Sequence, residues 1–498
     1  MILQEIFNNN FELLIPEFFL TTILLILLLF GVFYKKNQNN EKILIIKNLN
    51  TIIIYFLLII LILTYNIENF STTIMNGVLI INNFTQFIKI ILILTVIVCF
   101  LIQQKYLIQQ KINSYEINIL LLISLLGLMI LISSNHFITL YLAIELQSLS
   151  FYILTASQKK SILSVEASLK YFILGSIASG FILFGSSILY IILGSLNFSN
   201  IFLIISNINY LENTDLLISI VYGFIFIVIG LLFKIGVAPF HFWLPDVYEG
   251  APNNITAFFA IVPKIAFIGV LIRFFFDIFY HISFFFEIFF YITAILSMLI
   301  GSLSALQQQK IKRLLAYSSI SHVGFILIGF TSNLLNNIPS ILLYIIIYII
   351  MSINLWTSYI SININHKPIK YLTDLSGIYN INNFIAIIIV LNIFSLAGIP
   401  PLAGFFSKLF IFFAGIKNGY FSLVFFAVII SIISSFYYLK IIKIIYFEKI
   451  SKKKFLSKIN KIQSVILLIN TQIISFLFLF PNIILVNLNK IYLYLLVI

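Results

Sequence analysis

The chain has 498 residues, 61% of them hydrophobic and only 9% charged, with a mean hydropathy of +1.13, whereas soluble domains carry about 25% charged residues. Continuous apolar runs of about 20 residues recur throughout, which excludes a soluble globular protein and also a β-barrel, whose strands alternate polar and apolar residues. The formal charge of +13 falls mostly in short loops, so it is a topology signal and not a nucleic-acid footprint.

The single cysteine, Cys99, leaves no internal disulfide, and the five histidines (His136, His241, His281, His322 and His366) stand far apart, with no carboxylate at metal-site spacing. No glycine-rich nucleotide loop and no haem or iron–sulfur pattern occurs. No cofactor or metal is therefore expected in this chain, and any redox chemistry belongs elsewhere. The opening residues, MILQEIFNNNFELLIPEFF, are acidic and lack arginine, so they read as neither a transit nor a signal peptide. Heavy use of Ile, Asn, Lys, Phe and Tyr points to an A+T-rich coding genome, as in an organelle or an A+T-rich bacterium.

Fourteen helical spans are predicted, the first three near 12–33, 43–63 and 84–102. The next five fall near 117–134, 137–156, 165–193, 217–238 and 255–275. The last six lie near 284–306, 313–332, 339–361, 381–400, 420–446 and 461–480. Loops after odd-numbered spans are basic: Lys35, Lys36 and Lys42; Lys105 and Lys111; Lys159 and Lys160; Lys310, Lys312 and Arg313. The same holds for His366, Lys367 and Lys370, and for Lys449, Lys452, Lys453, Lys454 and Lys461. The alternate loops are neutral or acidic, with Glu68, Glu212 and Asp215. This puts the basic loops in the matrix or cytoplasm and both termini on the other side. Two spots fit poorly. The 240–254 loop carries Asp246 and Glu249 on the basic side, and Arg273 lies toward the outer face.

An ionisable residue in mid-span costs about 2.5–3.5 kcal/mol on insertion scales, which makes each one a functional candidate. Four qualify: Glu145 in LYLAIELQSLSFYIL, Lys234 in LFKIGVAPF, Lys264 in FFAIVPKIAFIGV and Lys408 in SLAGIPPLAGFFSKLFIFF. His322, in LLAYSSISHVGFILIGF, titrates near neutrality in water and suits a relay; Tyr317, Ser318, Ser319 and Ser321 offer it hydrogen bonds. Lys89, Lys440 and Lys443, close to span ends, are expected to snorkel to the headgroups. Lys170, four residues after Glu166, is expected to form a helix-surface ion pair.

Two spans break themselves. In IGVAPF (235–240) and AGIPPL (397–402) a glycine stands three residues before a proline: Gly236 before Pro239, and Gly398 before Pro401, with Pro400 beside it. Proline lacks an N–H and clashes with the carbonyl four residues back. Pro239 thus frees the carbonyl of Ile235 next to Lys234, and Pro401 frees that of Ala397, ahead of Lys408. In hydrocarbon such carbonyls survive only where they line protein or water, and a proton path needs wet polar groups there. A carboxylate brought near a buried lysine raises its proton affinity, so Glu145 and Lys234 form a switch if the fold brings them together. Paired interruptions in corresponding halves are a mark of transporters built from repeats.

Together these residues resemble a known family, the antiporter-like proton-translocating subunits of respiratory complex I (NADH:ubiquinone oxidoreductase) and of Mrp-type sodium/proton antiporters. The resemblance runs from about 117 to 446 and rests on YLAIELQSLSFYIL, EASLKYFILGS, LFKIGVAPFHFWLPDVYEGAP, LLAYSSISHVG and SLAGIPPLAGFFSK. It implies an all-α polytopic membrane fold of about fourteen helices, with inverted five-helix repeats at helices 4–8 and 9–13 and discontinuous helices 7 and 12. The chain then divides into three leading helices (1–116), a first repeat (117–275), a second (284–446), and a basic loop with a last helix (447–498). Glu145 and Lys234 become the charge pair of a first half-channel, Lys264 the connecting lysine, His322 a relay and Lys408 the lysine of a second half-channel. Some paralogous subunits carry glutamate at the position of Lys408, so the lysine sorts this chain with the others. The closing PNIILVNLNKIYLYLLVI matches nothing in the family pattern.

The implied activity is proton translocation by a core membrane-arm subunit of an H+-translocating NADH:quinone oxidoreductase, with NADH, FMN, iron–sulfur clusters and quinone in other subunits. The implied partners are the other membrane-arm subunits, antiporter-like ones included, and lipid, in a hetero-oligomer without nucleic acid. The implied location is the mitochondrial inner membrane, multi-pass with both termini toward the intermembrane space, or else a bacterial plasma membrane or chloroplast thylakoid. A subunit of an Mrp-type cation/proton antiporter is the alternative. A third reading is a structural subunit whose charges only fix helix register.

Overall fold

Hydrocarbon offers no water to backbone N–H and C=O groups, so each apolar run closes its hydrogen bonds internally as a helix. The computed structural model describes residues 11–34, 42–67, 72–109, 115–158, 160–208, 214–332, 335–364, 367–448, 459–479, 481 and 485–490. Its first helices are α1 (Ile15–Tyr34), α2 (Lys42–Tyr65), α3 (Asn83–Gln109), α4 (Glu116–Ser133), α5 (Phe137–Thr155) and α6 (Ile162–Leu193). A short α7 (Phe198–Ser206) precedes α8 (Thr214–Ile235), α9 (Trp243–Gly250) and α10 (Asn253–Arg273). Then follow α11 (Glu287–Gln307), α12 (Ile311–Leu327), α13 (Ile338–Ser361), α14 (Asn383–Ala397), α15 (Ala403–Lys417), α16 (Phe421–Phe447) and α17 (Lys461–Phe476).

Twelve segments among the described residues are long and apolar enough to cross a membrane, against fourteen predicted. The shortfall has two sources. The span predicted near 381–400 stops at Ala397 and resumes as α15, two halves of 15 residues each, and α17 has only 16 residues. The predicted loop charges Lys35, Lys36, Glu68, Lys111, Lys159, Glu212, His366, Lys449, Lys452, Lys453 and Lys454 lie outside the described residues.

Helix α10 is buried along its whole length, and α12 and α13 nearly so. These three carry Lys264, His322 and two tyrosines discussed below. In contrast, α6 presents most of its apolar side chains outward, among them Ile162, Phe172, Phe184 and Ile191, as a helix facing lipid requires. At about 1.5 Å per residue its 32 residues outrun a hydrocarbon layer of about 30 Å. The first turns, bearing Glu166 and Lys170, therefore project beyond it.

Both ill-fitting charge positions find partners. Asp246 takes Arg313 at 2.5 Å and Lys170 at 2.9 Å, and Glu249 takes Arg313 at 2.6 Å and also Lys310. The acids on the basic face thus clasp α9 to α6 and α12, and Lys170 keeps its predicted partner Glu166 at 2.7 Å. Arg273 donates to the carbonyls of Ile132 (2.8 Å) and Ser134 (2.7 Å), where a cation meets the negative end of α4. Lys89 departs from expectation. It does not snorkel but is buried, 2.5 Å from Glu17, locking α1 to α3 through a partner that sequence position alone does not reveal. Lys440 and Lys443 are exposed.

Burial alone would raise the Asp246 carboxyl, but Lys170 and Arg313 outweigh it and hold it below the ordinary carboxylate range. A lowered carboxyl stabilises the folded state above its unfolded pKa, and that contribution is lost as pH falls through the folded value. For the solubilised protein, Asp246→Asn is expected to lower stability at pH 7 by about 1 kcal/mol per pair lost, an upper figure for partly exposed pairs, read as a lower midpoint of thermal unfolding. The gap to wild type should close in acid; a pH-independent gap contradicts the ion-pair account.

Candidate functional site

Helix α8 stops at Ile235 because Gly236 takes φ +87°, a conformation that costs glycine little. The Gly236 N–H donates to Phe233 O and the Val237 N–H to Leu232 O, both at 3.0 Å, which is a Schellman end. A cis Ala238–Pro239 bond follows. Trp243, the first residue of α9, reaches back across the break and donates its indole N–H to Phe233 O at 2.9 Å. Its ring stacks on Tyr171 (4.6 Å between centroids) and on Phe233 (5.7 Å). The break is thus clipped at Phe233, two residues before the carbonyl at Ile235 that Pro239 was predicted to free.

Beside this clip the Lys234 ammonium is buried without a hydrogen-bond partner, 5.9 Å from the Tyr152 ring centroid. Glu145, the partner expected for it, makes no ion pair with it within 4.0 Å. Glu145 Oε2 accepts from Ser148 Oγ at 3.3 Å, while its Oε1 and the Tyr152 hydroxyl are buried without partners. Positions 145, 148 and 152 are spaced three and four apart, so they share one face of α5. Glu145 and Lys234 therefore stand apart, with Ser148 and Tyr152 on the Glu145 face of α5.

Trp243→Phe keeps the stacked ring and deletes one donor, so it should cost about 1 kcal/mol. Trp243→Ala empties the stack and should cost about 3–5 kcal/mol. The amount of chain retained in membranes after heating ranks the two; equal losses would contradict a clip made of both ring and N–H.

On α10, Pro263 immediately precedes Lys264 and loosens the carbonyl of Phe259. The Lys264 ammonium donates to Tyr348 Oη at 3.1 Å. His322 pairs through Nδ1 with the Tyr344 hydroxyl (2.8 Å) and through Nε2 with the Tyr438 hydroxyl (3.2 Å), and its ring lies 5.6 Å from that of Tyr348. Ser318 and Ser321 turn their hydroxyls onto their own helix, at Leu315 O and Ser318 O. Tyr317 is half-buried, and no hydrogen bond among the described residues joins it to this centre.

The second break repeats the first. Gly398 also has φ +87°, the Gly398 N–H donates to Ser395 O and the Ile399 N–H to Phe394 O, and Pro400–Pro401 is cis. Here the lysine itself closes the gap. Lys408 Nζ donates to Ala397 O at 2.8 Å, the very carbonyl that Pro401 was predicted to free, and lies 5.2 Å from the Phe325 ring centroid. A hydrogen bond from a charged donor is worth about 1.5–3 kcal/mol, part of what desolvating the ammonium costs. The breaks thus differ in their donor, a neutral indole at one and an ammonium at the other.

The structure gathers Lys264, His322 and Lys408 in one protein-enclosed region and sets Glu145 and Lys234 in another. No hydrogen bond among the described residues joins the two. Sequence reasoning missed Tyr344, Tyr348 and Tyr438; the four-residue step from Tyr344 to Tyr348 was the available signal. Among the described residues no group of three or more His, Cys, Asp or Glu could hold a metal.

A sequence profile described as NADH:quinone oxidoreductase/Mrp antiporter, transmembrane, matches residues 134–434, from the turn before α5 into α16. The chain belongs to this family. Within the family it is 40% identical over 404 residues to NADH-ubiquinone oxidoreductase chain 2 of Marchantia polymorpha, covering 81% of this chain and 82% of that one. It is 38% identical over 368 residues to NADH-quinone oxidoreductase subunit N of Beijerinckia indica, covering 74% and 76%. These are the branch that PFHFWLPDVYEGAP and SLAGIPPLAGFFSKLFIF resemble most. Family folds also superpose. A chain of respiratory complex I from Thermus thermophilus gives a TM-score of 0.78 at 24% identity, over 95% of this chain and 99% of that one. A chain of the Mrp complex from Dietzia gives 0.80 at 18% identity, over 98% of each.

Proposed function

We propose that the protein is the chain 2/subunit N component of the membrane arm of an NADH:quinone oxidoreductase. It moves protons along Glu145, Lys234, Lys264, His322 and Lys408 while redox chemistry proceeds in other subunits. The observation that carries this reading is the enclosed run of titratable and hydroxyl groups around α10, α12 and α13. A cation such as Lys264 is costly there, and for packing alone an apolar side chain would serve as well or better. Lys264 passes a proton onward through Tyr348. His322, held between Tyr344 and Tyr438, accepts on one ring nitrogen and releases from the other. Between Glu145 and Lys234 the distance is too great for direct transfer, so motion of a side chain or a water molecule closes it. Matching ends at Gly236 and Gly398 support the five-helix repeats at 117–275 and 284–446.

NADH, FMN, iron–sulfur clusters and quinone belong in this reading to the other subunits of a hetero-oligomer. The basic loops face the matrix of a mitochondrion, with both termini toward the intermembrane space. The deciding experiment extracts the chain in mild detergent and reconstitutes what remains attached. NADH oxidation by quinone that acidifies one side of the vesicle, with flavin and iron–sulfur signals, is the expected result. Sodium-stimulated proton exchange without NADH oxidation would replace this reading with an Mrp-type antiporter.

A further inference from the structure

A cavity of about 740 Å³ opens on the basic face, where the turn from α9 into α10 faces Lys310, Lys312, Lys367 and Lys370. The Ile311 N–H donates to Lys370 O at 3.0 Å and the Leu372 N–H to Gln309 O at 2.9 Å, an antiparallel stitch that brings the two lysine pairs together. Two acids share the wall, Glu249 and Asp374, and both are already engaged. Glu249 holds Lys310 and Arg313, and Asp374 accepts from the Lys370 and Tyr371 N–H groups, each at 2.9 Å. Among the described residues, no carboxylate stands within 4.0 Å of the Lys312, Lys367 or Lys370 ammonium.

The start of α10 lies in the same wall. Its N-cap is Pro252, which offers the first turn no side-chain acceptor. The Asn253 N–H donates to Tyr106 Oη at 3.3 Å and the Thr256 N–H to Pro252 O at 2.9 Å. Those of Asn254 and Ile255 have no acceptor among the described residues, although such donors are ordinarily capped. Two side-chain amides at this end are orphaned as well. Asn253 lines the cavity and is 6% exposed, and its side chain makes no hydrogen bond among the described residues. Asn254 is 5% exposed, with neither amide atom partnered. Buried polar groups left in this state are costly and call for a reason. A helix N-terminus carries about half a positive charge, and α10 is walled by protein along its length, so water screens it little. Lys312 gives one of its three ammonium protons to Ala251 O at 2.6 Å, just ahead of that terminus.

We propose that this cavity binds a phosphate group between the N-terminus of α10 and the ammonium groups of Lys312, Lys367 and Lys370. What this end of the helix lacks is acceptors, since two backbone N–H groups and three ammoniums have few or none. A phosphate carries its acceptor oxygens and its negative charge on one centre, so it answers several of these donors at once. Bound there, it ties the 367–371 segment to the start of the helix that carries Lys264. Ile364, Pro368 and Ile369 line the same cavity, an apolar surface suited to the organic part of a phosphate ester. An anionic phospholipid headgroup and free phosphate share this chemistry, and the test separates them. The site stands whether or not Lys264 carries protons.

The test uses the intact complex, purified in detergent without phosphate and washed of exchangeable lipid. Equilibrium dialysis measures binding of radiolabelled orthophosphate in one arm and of radiolabelled dihexanoylphosphatidylglycerol in the other. The Lys367→Gln/Lys370→Gln variant is expected to bind about tenfold more weakly than wild type, the scale of two partly exposed charge contacts. The difference should shrink as ionic strength rises. A variant-sensitive loss in the lipid arm alone supports a headgroup site, and one in the orthophosphate arm supports a site for free phosphate. Equal binding by wild type and variant in both arms overturns the proposal. If the double variant does not assemble, Asn253→Asp decides. It is nearly isosteric and sets a carboxylate at the helix start, so it must weaken binding by repulsion; unchanged binding again overturns the proposal.

Discussion

Replacing Lys264 with methionine is expected to abolish NADH-driven proton pumping while leaving the protein as stable as before, or more so. The two side chains are of similar length and volume, so packing on α10 is kept. Methionine cannot donate to Tyr348 or hold a proton, and removing a positioned proton-transfer group costs a factor of about 100 or more. Stability should move the other way, since the buried ammonium pays a desolvation penalty that an apolar side chain does not. Pumping is read as protons per NADH in vesicles and stability as the temperature at which the complex loses this chain. A variant that assembles and pumps fully would leave Lys264 with a packing role only.

Gly398→Ala is expected to strike the second break almost as hard, by a different route. At φ +87° an added Cβ is strained by about 1–2 kcal/mol, and it would stand 3.0 Å from Lys408 Cδ and 3.1 Å from Lys408 Nζ. Lys408 must then give way by a few tenths of an ångström, which weakens its bond to Ala397 O. The matching change, Gly236→Ala, places its Cβ 2.3 Å from Leu244 Cδ1 and does not touch Lys234. Both should lower the amount of assembled complex. Only Gly398→Ala should reduce pumping per assembled complex through its lysine, and adding Lys408→Met to it should then change little. Independent, additive losses in the double variant would refute that link.

Much of this site was legible in the residues. The rule that proline frees the carbonyl four residues back pointed from Pro401 to Ala397, and Lys408 is found there. The same rule named Ile235 at the first break, where Trp243 instead takes Phe233, because a side chain seven residues past the break decides which carbonyl is met. Position within a span misled for Lys89: nearness to a span end fits snorkelling, but Glu17, 72 residues earlier, is packed against it. The tyrosines around His322 come from α13 and α16, 22 and 116 residues away. No local pattern encodes which helices meet, and that packing is what turns isolated polar residues into one enclosed group.

The full burial of α10 bears on how the chain is made. A helix walled by protein on every side never partitions into lipid in its finished state, so the hydropathy of its outer surface cannot hold it in the bilayer. During synthesis it emerges before α12 and α13, with Lys264 still lacking Tyr348. Its FFAIV and IAFIGVLI stretches then serve a transient purpose, offsetting a mid-span cation that costs about 2.5–3.5 kcal/mol on insertion scales. Polar substitutions on α10 should accordingly damage biogenesis before they damage turnover.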